Sequence, residues 1–201
     1  MPSAGKKRFL TPFSLVEPMD PNPPETRLDS ERVYDGRVVK LDVDRVALAR
    51  GGESRREVIR HPGAVLIVPL RADGQVVLIR QFRYAAQRVL WELPAGTLDP
   101  DDASMLACAQ RELAEETGLQ AEQWESLGGF YTTPGFTTEV IHAFLARELS
   151  PAPAAVGDDD EHIEVVALPL REALAMALDG RIDDAKTIVG LCRAAGRIGL
   201  L

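Results

Sequence analysis

Three acidic side chains stand in a pattern that chemistry could use: Glu112, Glu115 and Glu116. On a helix they lie at i, i+3 and i+4, so their carboxylates gather on one face. The segment around them reads as a helix. Met105, Leu106, Ala107, Ala109, Leu113 and Ala114 are good helix formers, Asp101, Asp102 or Ser104 can cap the start, and Gly118 is the expected stop. The three acids then fall in the last turn, where the macrodipole is already negative and cations are favoured. Arg111 is the only cation inside that helix to offset them. A solvated acidic face is the plain alternative, but local rules broken in this way tend to mark functional sites. A hard divalent cation, Mg²⁺ or Mn²⁺, relieves such repulsion because oxygen ligands suit it. Leu106, Ala109, Leu113 and Thr117 share one stripe at helical spacing, which predicts the buried face.

The run Arg111-Glu112-Leu113-Ala114-Glu115-Glu116-Thr117-Gly118-Leu119 resembles the second half of the Nudix box without a gap. Gly96 resembles the glycine that opens the box. The first half departs from the family: Gly96 to Arg111 is one residue longer than usual. The position of the first box glutamate is held by Asp102 or, counted back from Arg111, by Ala103. The resemblance implies an α/β/α sandwich with a mixed sheet that hydrolyses a nucleoside diphosphate linked to another group. It also implies divalent metal at Glu112 and Glu116 and at the backbone carbonyl of Ala95. Glu115 would be a further ligand or would orient one.

Segments outside the box are similar to the ADP-ribose pyrophosphatase branch of that family. Pro134-Gly135-Phe136-Thr137-Thr138-Glu139 resembles the loop whose glutamate faces the terminal ribose, and a carboxylate can accept two hydrogen bonds from vicinal hydroxyls. Gln81-Phe82-Arg83 resembles the segment whose arginine meets the pyrophosphate, a contact that suits a guanidinium. Arg55-Arg56-Glu57, ahead of His61-Pro62, resembles the segment that reaches the adenine, often in the neighbouring subunit. Arg55, Glu57, Arg83, Glu92 and Glu139 form the expected substrate-binding set. The general base is sought in the acidic run Asp158-Asp159-Asp160-Glu161, at the place where the branch keeps an acidic loop. Two positions compete there. Glu161 has the longer reach, and Asp159 aligns with the glutamate that some members use.

Composition bounds the alternatives. A net charge of −8 argues against nucleic acid as a partner, because phosphate backbones need a basic surface. Two cysteines, Cys108 and Cys192, are too few for a disulfide framework or a zinc site. His61, His142 and His162 form no ligand spacing, and no nucleophile elbow or P-loop is present. The longest apolar run, Ala64 to Leu70, is far short of a membrane span, and no signal peptide can be read. A soluble cytoplasmic protein is the expectation.

Residues 1–28 carry scattered prolines and no periodicity, which predicts a mobile arm. Residues 29–60 predict a small antiparallel subdomain: Val39, Leu41 and Val43 alternate with Lys40, Asp42 and Asp44, Gly51-Gly52 marks a turn, and Arg55 to Arg60 returns. With only two strands and open edges, it is expected to mediate a homodimer. Residues 61–201 predict the catalytic domain. Its strands are Ala64 to Leu70, Val76 to Ile79, Trp91 to Leu93, Glu139 to Ala146 and Ile163 to Leu168. Residues 150–162 are expected to be a loop. The closing helices are Glu172 to Leu178 and Asp184 to Ala195, the second packing Ile188, Leu191 and Cys192. The expected activity is hydrolysis of ADP-ribose to AMP and ribose 5-phosphate. The rivals are another nucleoside diphosphate sugar, a dinucleoside polyphosphate, or a ligand-binding regulator without hydrolysis.

Overall fold

The computed structural model describes residues 23–153 and 163–201. A four-stranded mixed sheet forms its centre, in the order β7 (Ala95–Thr97), β4 (Ala64–Pro69), β9 (Val140–Pro151), β8 (Leu119–Tyr131). Strand β4 runs parallel to β9 and antiparallel to β7. All six of its residues are buried, as its unbroken apolar run requires.

The two faces of β4 feed two separate cores. Val65 and Ile67 pack with Cys108, Ala109 and Leu113 of helix α1 (Met105–Thr117). Leu66 and Val68 pack with helices α2 (Leu170–Asp179) and α3 (Ala185–Arg197) and with Leu78 of β5 (Gln75–Arg83). Helices therefore cover the sheet on both sides, the expected α/β/α arrangement. Strand β5 belongs to a second antiparallel sheet, in the order β10 (Ile163–Pro169), β5, β6 (Arg88–Glu92).

A third sheet holds β1 (Glu25–Asp35), β2 (Lys40–Leu48) and β3 (Glu53–Ile59), all antiparallel. It has three strands where two were expected. Strand β1 begins at Glu25, inside the stretch expected to be an arm, and residues 1–22 lie outside the described residues. The alternation of β2 is also inverted. Asp42 and Asp44 are the enclosed residues, at 7% and 6% exposure. Arg60 bridges them, donating to Asp42 at 2.9 Å and to Asp44 at 2.5 Å, while Arg32 holds Asp42 from β1. An ion-pair ladder thus stands where a larger sheet would have an apolar face. The backbone ties this sheet to the main body at Ile59, which pairs with the loop before β9: Ile59 N–H to Phe136 O at 2.8 Å and Thr138 N–H to Ile59 O at 3.0 Å.

Other expectations shift in detail. Leu106 is 36% exposed and Thr117 half-buried, and Cys108 takes the inner place on α1. On α3 the buried residues are Thr187, Gly190, Leu191, Ala194 and Ala195, with Ile188 and Cys192 at the margin. Strand β9 continues to Pro151, past the expected loop start at 150. Strand β8 spans thirteen residues where no strand was expected. Its Glu and Gln are poor strand formers, and a bulge at Ser126/Gly128, with Gly128 at φ 87°, breaks its alternation.

Candidate active site

Helix α1 starts where Ser104 accepts the Ala107 N–H at 3.1 Å, after a turn closed by Asp102 N–H to Asp99 O at 3.0 Å. It stops at Gly118, whose φ of 67° suits a residue without Cβ. This register puts the last turn of α1 beside β7. Glu116 Oε2 accepts the Ala95 N–H at 2.9 Å. Glu112 lies so close over Gly96 that a Cβ there would sit 1.9 Å from Glu112 Oε1. Gly96 therefore makes the space that the Glu112 carboxylate occupies, and any side chain would displace it.

Arg111 gathers the surrounding acids. It donates to Asp102 from Nε at 3.3 Å and from Nη2 at 3.1 Å, and its Nη1 lies 2.8 Å from both Glu112 Oε1 and Glu115 Oε2. Asp99 stands at 3.8 Å. The Arg111 contact holds the Asp102 carboxyl down at about 2, helped by the Asp99 N–H. Burial raises the Glu112 carboxyl above its ordinary value, and Arg111 offsets only part of that rise. Burial also pushes the Cys108 thiol up to about 12, so it is a packing group.

Asp99, Glu112, Glu115 and Glu116 line a cleft of about 960 Å³ at the end of the sheet where β4 and β9 both begin. Its wall includes Ala95, Gly96, Glu112, Glu115 and Glu116, and also Arg83, Glu139 and Ile163. Glu139 is held by Thr132, whose hydroxyl donates to Oε2 at 2.5 Å, and by His61 Nε2 at 3.5 Å from Oε1. His61 Nδ1 accepts the Gly63 N–H at 3.1 Å, which turns Nε2 toward Glu139.

The structure thus brings together Ala95, Glu112, Glu115, Glu116, Arg83 and Glu139. Glu92 is 1% exposed and lies behind the wall, where it accepts from Arg83. Arg55 and Glu57 are exposed on β3 and do not line the cleft. Asp159 and Glu161 lie outside the described residues, although Ile163, just after them, is on the wall. Sequence reasoning missed Lys186, which reaches the wall from the first turn of α3 and pairs with Glu92 and with Asp184 at 3.0 Å. Its one local signal is a cation at the positive end of a helix, where the dipole disfavours it.

The donor set is all oxygen, and the space over Gly96 admits a carboxylate directed at the strand backbone. Both features fit a hard divalent ion. Among the described residues no three acidic, imidazole or thiol groups already converge at ligand spacing, because Glu115 faces Arg111 and Glu116 faces the Ala95 amide.

Residues 60–189 match the NUDIX domain family. A methanol dehydrogenase activator of Bacillus methanolicus is 40% identical over 83% of this chain and 90% of its own length. An ADP-ribose pyrophosphatase of Bacillus subtilis is 38% identical over 81% of this chain and 88% of its own. A GDP-mannose pyrophosphatase of Yersinia pestis is 44% identical over 67% and 71%. A solved structure described as an ADP compounds hydrolase superposes with a TM-score of 0.79 at 24% identity, covering 88% of this chain and 95% of that one. By the extent of these matches, the acidic helix end and its cleft belong to a member of the NUDIX family.

Proposed function

We propose that this chain hydrolyses the pyrophosphate of ADP-ribose to AMP and ribose 5-phosphate with a divalent cation at the acidic helix. The observation that carries the reading is one cleft in which three acids of α1 meet Arg83 of β5 and Glu139 ahead of β9. The name of the Bacillus subtilis relative supports the substrate. The 44% identity to a GDP-mannose pyrophosphatase favours, as second reading, another nucleoside diphosphate sugar. A regulator without hydrolysis is the third, and release of AMP from ADP-ribose with Mg²⁺ present separates the three.

In this reading Glu112, Glu116 and the Ala95 carbonyl hold Mg²⁺ or Mn²⁺, and Glu115 orients or adds a ligand. When bound, the ion supplies positive charge against the phosphoryl oxygens. Arg83 binds the pyrophosphate, and Glu139, steadied by Thr132 and His61, accepts hydrogen bonds from ribose hydroxyls. The attacking water gives its proton to Glu161 or, from two residues earlier, Asp159. Asp102 acts through Arg111, since both of its oxygens accept from that guanidinium.

The small sheet is the proposed dimer contact. Leu28, Val33 and Tyr34 of β1 are 46%, 48% and 58% exposed, and Arg55 and Glu57 would reach the adenine in the second subunit. No helix among the described residues is long and apolar enough to cross a membrane. Both cysteines are free, in keeping with a reducing cytoplasm.

One kinetic series tests the roles. Glu112→Gln and Glu116→Gln each lower kcat by about 10²-fold or more, as loss of a contact at developing charge does. Near-wild turnover of both at saturating Mg²⁺ contradicts the assignment. Glu161→Gln lowers kcat with little change in KM. A mild Glu161→Gln beside a severe Asp159→Asn moves the base to Asp159, and two mild effects remove the acidic run from the mechanism.

Asp102→Asn costs at least about tenfold less in kcat than Glu116→Gln, the lost ligand being worth about 10²-fold. Its effect on stability has a defined pH window. The folded carboxyl is depressed from 3.8 to about 2, so its contribution is present above the unfolded value and is lost as pH falls through about 2. Urea titrations then show wild type ahead of Asp102→Asn at pH 6 and level with it near pH 2. A gap that does not shrink on acidification refutes the Arg111 contact as its cause. Sedimentation at micromolar concentration gives twice 21.9 kDa, and a species of 21.9 kDa alone excludes the dimer.

A further inference from the structure

Among the described residues three cations line the cleft: Arg83, Arg111 and Lys186. Arg111 is engaged with the acids of its own helix and turn. The other two come from separate elements, β5 and α3, and converge on a single buried group. Arg83 forks onto the Glu92 carboxylate, Nε to Oε1 at 2.8 Å and Nη2 to Oε2 at 2.8 Å. Lys186 Nζ donates to the same Oε2. Two cations that share one oxygen stand within two hydrogen-bond lengths of each other. Without an anion between them their repulsion would part them.

Glu92 is placed so that it cannot readily follow a ligand. It is 1% exposed and does not line the cleft. The next residue is also pinned: Leu93 N–H donates to Thr187 Oγ1 at 2.8 Å, and that hydroxyl donates to Asp184 Oδ2 at 2.6 Å. Asp184 caps α3 and forms an ion pair with Lys186 at 3.0 Å. The end of β6 and the start of α3 are thus locked to each other around Glu92. Burial alone would raise this carboxyl, but the bonds from Arg83 and the charge and bond of Lys186 outweigh burial and leave it below its ordinary value.

We propose that Glu92 is a positioning residue that never touches substrate and fixes Arg83 and Lys186 as one cationic pair for a phosphate-bearing part of the ligand. The proposal rests on the reading of the cleft as a pyrophosphate site. It changes the part expected of Glu92 from ligand contact to support. It also predicts uniform binding, stronger for substrate and transition state alike, because the pair is held before any ligand arrives.

The test is a substitution cycle read by calorimetric affinity for ADP-ribose in EDTA, where no turnover occurs, and by steady-state kinetics with Mg²⁺. Glu92→Gln lowers affinity about tenfold and raises KM by a similar factor, the scale of one charged hydrogen bond, while kcat stays within about threefold. Glu92→Asp keeps the charge and recovers part of the loss. In a chain already carrying Arg83→Ala and Lys186→Met, adding Glu92→Gln changes affinity less than about twofold, because the cations it acts through are gone. In that background it also raises the thermal midpoint, since it removes a buried carboxylate left without partners. The proposal is overturned if the factor is equal in the two backgrounds, or if Glu92→Gln lowers kcat and leaves KM unchanged. Should the doubly substituted chain not fold, the cycle on Arg83→Ala alone must still give a smaller factor than in wild type. A wild-type protein that binds no ADP-ribose overturns the substrate reading instead. The cycle is then read with inorganic pyrophosphate, where equal factors again overturn the role of Glu92.

Discussion

Arg111 carries one positive charge into a group of four carboxylates, those of Asp99, Asp102, Glu112 and Glu115. Glu116 adds a fifth acid one turn along from Glu112. The helix end contributes further partial negative charge. A single guanidinium cannot balance this set, and burial of Glu112 sharpens the imbalance, as its raised carboxyl shows. The excess negative charge is concentrated on oxygen, beside a strand amide and a glycine that leaves room. A small divalent cation complements such a site, and an ordinary salt bridge does not.

The fold serves this imbalance by holding charges of both signs on the wall of one cleft. Strand β4 is buried on both faces and bonds α1 into one core and α3 into the other. The acids of α1 therefore reach the cleft from one side of the sheet and Lys186 from the other. Gly96 and Ala95 sit between them on the edge strand β7. Buried carboxylates recur wherever cations must be aimed: Glu92 between Arg83 and Lys186, and Asp42 and Asp44 around Arg60. Each is costly alone and tolerated because it is paired and hydrogen-bonded.

What the sequence revealed follows the range of the interactions. The helix, its Gly118 stop and the grouping of Glu112, Glu115 and Glu116 were legible because they depend on neighbours within four residues. The buried β4 run was legible for the same reason. Strands β1 and β8 were hidden because charged or amide side chains fill them, and each becomes a strand through pairing with a distant partner. The inward turn of Asp42 and Asp44 depends on Arg32 and Arg60, which no alternation rule contains. Lys186 lies 94 residues from Glu92, so only the packed fold reveals their meeting.

The central claim is that the end of α1 is short of positive charge until a divalent cation binds. Thermal unfolding of the metal-free protein, titrated with Mg²⁺ against NaCl of matched ionic strength, tests it without any substrate. A ligand that binds only the folded chain stabilises it as RT ln(1 + [L]/Kd). The account predicts a midpoint that climbs with the logarithm of Mg²⁺ concentration well beyond the NaCl curve. Coincident Mg²⁺ and NaCl curves would contradict it.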